Sequence, residues 1–461
     1  MPDQRLDRSR DRNLPPRRSA TAYPLLRHDR PEAIVAYRGR QPIAAGRFLR
    51  EVAALSAALP ARRYVLNLCV DRYRFAVGLA AALCREQVSL LPPNDAPGVL
   101  RDLAADFADS YCLADAAPPD LPIPCLAYPD HPGDARPAAA TPVIPAAQLA
   151  LLLFTSGSTG RPKPQAKSWG TLVRSALAAG ERLGVGALAN AAIVGTVPHQ
   201  HSYGLESTVL LALQHGLAMQ AERPFFPGDI RACLAAMPRP RILVTTPIHI
   251  RALLAEAEAL PPVDLLVSAT APLSQALAAA AEARTGAPLL EVYGCSEAGQ
   301  LAVRRTSEHA LWRCLDGVVL RQDEHGTWAS GAPVEIETLL QDVIELCGSG
   351  RFLLHGRMAD LVNIAGKRTS LAYLDHQLKA IAGVTDGAFL MPEEAEGCVT
   401  RLIAVAVAPG LAPTTILSAL RQRIDAAFLP RPLVLVDALP RNALGKLPRE
   451  AVLRLVSGGG S

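Results

Sequence analysis

Between Arg63 and Tyr293, short runs rich in Val, Ile and Leu alternate with segments whose apolar residues recur at helical spacing. A chain patterned in this way has few options, because parallel strands need crossovers, and crossover helices cover both faces of the sheet. The pattern predicts strand-helix-strand units around a parallel sheet. Strands are expected at Tyr64–Val70, Gln148–Phe154, Ala192–Val197, Arg241–Thr245, Leu265–Ser268 and Leu289–Tyr293, with helices at Arg74–Cys84, Glu206–Gln214, Ile248–Ala259 and Leu273–Arg284 between them. Open sheets of this kind bind ligands beyond the carboxyl ends of their strands.

From about Met358 the elements shorten. A strand is expected at Leu361–Ile364, a helix from Leu371 to about Ala382, a strand at Leu402–Val407, a helix at Thr414–Phe428 and a strand at Leu433–Val436. The Pro- and Ala-rich residues 116–146 read as an irregular connector. At 461 residues, 50% hydrophobic and 20% charged, the chain can fill a large interior and is too long for one ordinary core. Its 47 basic and 43 acidic residues nearly balance, which argues against nucleic acid as the main partner. Six Arg and three Asp in residues 1–20, with no apolar stretch, read as a disordered basic leader and not as a signal peptide. Nine cysteines without CxxC pairs point to buried thiols in a reducing compartment. The longest apolar run, near Phe75–Cys84, is too short to span a bilayer, so a cytoplasmic protein is expected.

The most telling motif is TSGSTGRPK at 155–163, placed directly after the apolar run Leu149–Phe154. Gly157 and Gly160 let successive backbone N–H groups converge on an anion, while Thr155, Ser156, Ser158 and Thr159 add hydroxyls and Lys163 adds charge. The run is not a Walker A loop. Pro162 and Pro164 flank Lys163, and a residue before proline is pushed out of the helical region. The bland alternative is a surface turn rich in Gly and Ser.

This run resembles the phosphate loop of the adenylate-forming superfamily, which includes acyl- and aryl-CoA synthetases, luciferases and the adenylation domains of peptide synthetases. Four further motifs follow in the order that family shows, extending the resemblance to residue 446. EVYGCSEAG at 291–299 resembles its YGxTE motif, with Ser296 in place of Thr. The resemblance implies that Tyr293 stacks on adenine beside Gly294, that Ser296 meets the α-phosphate and that Glu297 ligates Mg²⁺. SATAPL at 268–273 matches the loop along adenine and brings in Ala271 and Pro272. Asp342 and Arg357, 357 − 342 = 15 residues apart, match the pair that holds the ribose, although the usual TGD context is missing around Asp342. PRNALGKLPRE resembles the closing motif and makes Lys446 the expected catalytic lysine.

PHQHSYGL at 198–205 matches the turn that lines the acid pocket and thioester channel, through His201 and Tyr203. His249 and the Gly294-Cys295 pair complete a candidate slot for a flat ring. The Asp that peptide-synthetase domains carry here for an amino group is missing. A metal site built on His199 and His201 lacks a third ligand nearby.

The family implies ATP and Mg²⁺ as cofactors, with CoA or the phosphopantetheine of an acyl carrier protein as acceptor. It also implies a large N-terminal ATP- and acid-binding domain at 21–357 and a small mobile C-terminal α+β domain at 358–461. The hinge falls at Ala359, where relatives carry Asp or Lys, and Gly366 is expected to face the thiol channel. The run VPHQHSYGLES is most similar to hydroxybenzoate-activating ligases of bacterial aryl-polyene and xanthomonadin pigment pathways. A medium-chain acyl-CoA or acyl-carrier-protein synthetase, a luciferase-type oxygenase and a non-catalytic nucleotide-binding module are the alternatives.

Overall fold

The structure, a computed structural model, describes residues 21–93, 96–116, 121–129, 140–155, 163–357, 361–364, 367–391, 401–424, 426–441 and 447–458. The leader expected at 1–20 lies outside them. Buried strands followed by helices make two sheets. The first has six strands, ordered Lys163–Ser168, Leu149–Thr155, Val88–Leu91, Tyr64–Asn67, Ser110–Ala114 and Cys125–Ala127. All its pairings are parallel except the first, in which Lys163–Ser168 folds back on Leu149–Thr155.

The second sheet has eleven strands. Ile34–Arg38, Ala218–Gln220, Ala192–Gly195, Arg241–Thr245, Leu265–Ser268 and Leu289–Cys295 run parallel in that order. An antiparallel wing extends one side, from Gly299–Arg304 through Trp312–Cys314 and Arg351–Arg357 to Asp342–Gly348. A smaller unit follows, in which Asp386–Leu390, Ile403–Val407 and Leu433–Leu435 form a sheet. The helices Leu371–Lys379 and Pro413–Arg421 cover it, and its apolar core is its own.

The parallel framework thus follows the alternation in the sequence. Three expectations are corrected. The antiparallel wing lies beyond the sequence reading, as do the strands Val88–Leu91 and Ser110–Ala114, whose runs of four and five residues carry little periodic signal. The connector at 116–146 is not wholly irregular: Cys125–Ala127 adds a parallel edge strand, and Val143–Pro145 pairs with Ala22–Pro24. The helix expected at Thr414–Phe428 ends at Arg421, and a short turn of helix follows at Ala426–Phe428.

The helix Arg72–Cys84 is buried along almost its whole length, and one continuous core contains it together with Val65, Leu113 and Leu151 of the first sheet and Ile193 and Val244 of the second. A helix apolar all round belongs inside a large protein. The run Phe75–Cys84 is therefore core, and among the described residues no helix is long and apolar enough to cross a membrane.

The first residue of that helix is an arginine with no solvent exposure. Arg72 Nη1 donates to the carbonyls of Gln220 and Glu222 at 2.6 and 3.2 Å, and Nη2 to those of Gly195 and Val197 at 2.8 and 3.3 Å. Burial, and next the nearby Arg223, draws its pKa down to about 10, so it stays charged at neutral pH. The four carbonyls lie at and just past the ends of two parallel strands of the second sheet, whereas the helix follows a strand of the first. Replacing Arg72 by Met strips partners from buried carbonyls, and unsatisfied groups of this kind cost about 1–3 kcal/mol each. The expected result is a fall in unfolding free energy of roughly 3 kcal/mol or more, measured by urea denaturation.

Candidate active site

The candidate residues gather where the parallel strands end. The hairpin of Leu149–Thr155 and Lys163–Ser168 brackets the TSGSTGRPK loop, with Thr155 opposite Lys163 in the register and Lys163 exposed. Ser156, Gly157, Ser158, Thr159 and Gly160 lie outside the described residues, as do Ala359, Gly366 and Lys446. For Thr155 and Arg357 only the backbone is described.

Asp342 and Arg357 face each other as register partners of two antiparallel strands. Tyr293 donates its hydroxyl to Asp342 Oδ2 at 2.7 Å. The Tyr293 ring packs against Trp312 and Phe352, with centroids 5.6 Å away in each case, and only 8% of the residue is exposed. That packing leaves little ring face for adenine in this structure. What Tyr293 visibly does is orient the carboxylate of Asp342. Arg304 supports the cluster from below, ion-paired to Glu291 at 2.7 Å with its guanidinium over Trp312 at 4.3 Å from the centroid.

Beyond Tyr293 the chain makes a tight hairpin turn through Cys295, Ser296 and Glu297, all half-buried. A Cβ on Gly294 would stand 2.2 Å from the carbonyl oxygen of Gly299 across the hairpin, so only glycine fits. Burial lifts the Cys295 thiol to about 11, which keeps it protonated and unreactive at neutral pH. Ala271 is half-buried and Pro272 exposed on the neighbouring loop. Among the described residues no three His, Cys, Asp or Glu side chains converge as a metal site. A lone carboxylate such as Glu297 fits Mg²⁺ that arrives on phosphates, since Mg²⁺ takes one or two protein carboxylates and fills its remaining positions from phosphate and water.

The acid-pocket candidates lie on helical segments that follow parallel strands: His201 and Tyr203 at the turn Ser202–Gly204, and His249 in the helix Pro247–Ala255. Tyr203 places its hydroxyl 3.1 Å from the Thr245 carbonyl and 3.0 Å from that of Val267. His249 directs Nδ1 at the hydroxyls of Thr246 and Thr196, at 2.9 and 3.3 Å, while its buried Nε2 makes no hydrogen bond in the structure. Phe225 meets the same ring edge-on at 5.2 Å. His201 is half-buried at the start of the helical turn Ser202–Gly204. Gly204 lies so close to Pro198 that an added Cβ would stand 1.9 Å from its carbonyl oxygen, and this contact folds the PHQHSYG turn back on itself.

Sequence reasoning missed Lys167, Glu206 and Thr270, and left His199 without a role. His199 is buried against Phe75, with Nε2 2.9 Å from the Cys69 carbonyl. Burial, and then the charge of Arg72, pushes its pKa down to about 3, so it is a neutral core histidine. Lys167 and Glu206 are also buried, at 3% and 4% exposure, and Lys167 Nζ donates to the Glu297 carbonyl at 2.6 Å. Burial lowers the Lys167 pKa, while Glu206, Cys295, Glu335 and Glu297 pull it back up. Thr270 holds a φ of +79°, a strained conformation for a β-branched residue, in the loop beside Ala271. A carboxylate at the head of an apolar helix was the available signal for Glu206, whereas Lys167 lies in the polar run Lys163–Ser168 and gave none.

Comparison with known proteins gives the context. A family model described as AMP-binding enzyme matches residues 59–324, more than half of the chain. The chain belongs to the AMP-binding enzyme family. This AMP-binding enzyme is 33% identical over 230 residues to a 4-coumarate–CoA ligase of Rhodobacter capsulatus, covering 50% of this chain and 57% of that one. It is 28% identical over 317 residues to a 4-coumarate–CoA ligase of Halorhodospira halophila, covering 64% and 74%. The chain therefore spans little more than half the length of the first of these relatives. Its fold resembles that of ATP-bound MatB from Rhodopseudomonas palustris, with a TM-score of 0.79 at 20% identity over 93% of this chain and 97% of that one.

Two outcomes follow for the AMP-binding enzyme. Gly294→Ala should push the hairpin strands apart and destabilise the fold by about 1–3 kcal/mol, with loss of nucleotide binding read in the same preparation by calorimetry. His199 stays neutral in the folded chain down to about pH 3, whereas the unfolded imidazole protonates near its ordinary value of 6.5. Folding stability should hold above pH 6.5 and fall as the pH drops below it, because the unfolded state then binds the extra proton. His199→Gln should flatten that slope by up to about 1.4 kcal/mol per pH unit, measured by urea midpoints between pH 8 and 5.5.

Proposed function

We propose that the protein activates a carboxylic acid with ATP to an acyl-adenylate and transfers the acyl group to a pantetheine thiol. The observation that supports this most is the meeting of Asp342 and Arg357 as cross-strand partners, with the Tyr293 hydroxyl on the Asp342 carboxylate. Fifteen residues separate the two in sequence. An aspartate held in this way offers two acceptor oxygens to a diol, which suits a ribose.

A carboxylate is a poor electrophile, and a phosphoryl-linked leaving group makes its carbonyl attackable. In the first step the acid oxygen attacks the α-phosphorus, the bond to the β-phosphate bridging oxygen breaks, and pyrophosphate leaves with that electron pair. The chain has little covalent work to do. It orients the acid in line with the phosphorus and spreads cationic and N–H donors over the phosphate oxygens. In this reading the TSGSTGRPK loop with Lys163 holds the β- and γ-phosphates, Ser296 meets the α-phosphate and Lys446 bridges it to the acid. Mg²⁺, when bound through Glu297, neutralises phosphate oxygens. In the second step a thiolate attacks the acyl carbon, and AMP departs. The domain division at 358, the hinge at Ala359 and the thiol channel at Gly366 belong to this same reading.

For the acid, we infer a ring-bearing one. The names of the two 4-coumarate–CoA ligases support both that class and CoA as acceptor. Tyr203, His201, His249 and the ring of Phe225 would line a flat slot. A hydroxybenzoate-like acid passed to a carrier protein is the narrower version of the same reading. Pyrophosphate exchange with a panel of aryl and medium-chain acids, followed by thioester formation with CoA or carrier protein, tests all of these. Aryl acids should exchange fastest, and Lys446→Ala should slow adenylate formation on the order of 10²–10³-fold. Adenylate formation at full speed in that variant would refute the assignment of Lys446.

A further inference from the structure

The strand that leaves the TSGSTGRPK loop carries a lysine pointing inward. Lys167 is 3% exposed and gives its ammonium to a backbone oxygen, that of Glu297, at 2.6 Å. Glu206 lies with it around one small pocket that Thr171, Ser175, Ala298 and Gly299 also line. The Glu206 carboxylate is 4% exposed and accepts from Ser175 Oγ at 3.0 Å, Ser202 Oγ at 2.5 Å and the backbone N–H of Gln300 at 3.3 Å. The next residue along, Ser168, donates from both its backbone N–H and its hydroxyl to Glu335 at 2.8 Å.

Burying an ammonium costs several kcal/mol unless it is paired, and a Leu or Met would cover the same space at no such expense. A charge retained here specifies geometry that an apolar side chain cannot. Its one short hydrogen bond goes to the main chain of Glu297. The counter-ion sits on the helix that leaves the PHQHSYGL turn, in a stretch Leu205–Leu210 widened to a π-helical form. The buried ammonium and the Glu206 carboxylate, which line one pocket, thus link the strand that leaves the phosphate loop, the Glu297 turn and the start of that helix.

We propose that Lys167, with the Glu206 carboxylate lining the same pocket, is a positioning residue that ties the Glu297 turn to the strand Lys163–Ser168 and so holds the Glu297 carboxylate in place. The role deepens the reading of Glu297 as the carboxylate that meets the metal of MgATP, and it rests on that reading. Without the ammonium the turn loses its tie to the strand, and the carboxylate no longer waits where the phosphates arrive.

The test is calorimetric titration of ATP with excess Mg²⁺ and with EDTA, alongside urea midpoints, on the wild type, Glu297→Gln, Lys167→Met and the double variant Lys167→Met/Glu206→Gln. Removal of a side chain that orients a metal ligand typically costs 10–100-fold in metal affinity. The gain in ATP affinity on adding Mg²⁺ should therefore fall by about tenfold or more in both Lys167 variants, with affinity in EDTA held within about twofold. Lys167→Met alone should lose stability because the buried Glu206 carboxylate keeps its hydrogen bonds but loses the nearby positive charge, and the double variant should recover much of that loss. A double variant that keeps the wild-type Mg²⁺ gain would reduce the pair to a stability element and overturn the proposal. If Glu297→Gln keeps the gain, the metal reading of Glu297 fails instead, and the positioning role goes with it.

Discussion

Two parallel sheets can stack on a shared helix in many ways, and the guanidinium of Arg72 selects one. Its position is set by the helix that follows Tyr64–Asn67 in the first sheet, and its four acceptors lie at strand ends in the second. A fully buried charge accepts only an arrangement that supplies its hydrogen bonds, so it is specific where apolar contact alone is permissive. Because those acceptors include Gly195 and Val197, the same bonds fix where the PHQHSYGL turn begins.

The site is built by the same logic at a smaller scale. Its chemically expressive residues stand on loops, while short-range contacts to the main chain set their places. Gly204 is pressed on Pro198, Gly294 on Gly299, and Lys167 on the carbonyl of Glu297. Each contact tolerates little displacement, since each is either a close backbone approach or a buried charge-assisted hydrogen bond. The hydroxyl of Tyr293 on Asp342 and the hydroxyls of Thr196 and Thr246 on His249 add polar anchors for side chains that must present a defined edge to a ligand.

Much of this was legible in the residues. The parallel strands from Tyr64 to Tyr293 and the small unit after Met358 followed from alternation and period, and the motifs placed Asp342 and Arg357 as a pair that the register then set opposite each other. The antiparallel wing was not legible, because its strands differ in burial from the enclosed Gly299–Arg304 to the mostly exposed Asp342–Gly348 and share no common period. Tyr293 also carried a motif role that said nothing of its packing, and Trp312 and Phe352 take up most of its ring. His199, which the sequence left without a role because a metal pair with His201 lacks a third ligand, is core, enclosed by Phe75 and the Cys69 carbonyl.

By itself the sequence determined the class of fold, the family and the roster of groups available for chemistry, because periodicity, loop composition and ordered motifs are local properties of the chain. Only the tertiary structure decided which polar side chains are buried and against what. Arg72, Lys167 and Glu206 look like ordinary charged residues in one dimension. Their roles arise from partners 123 to 150 positions away for Arg72 and Lys167, and up to 94 away for Glu206. Desolvation makes those contacts strong, and desolvation exists only once the chain has closed around them.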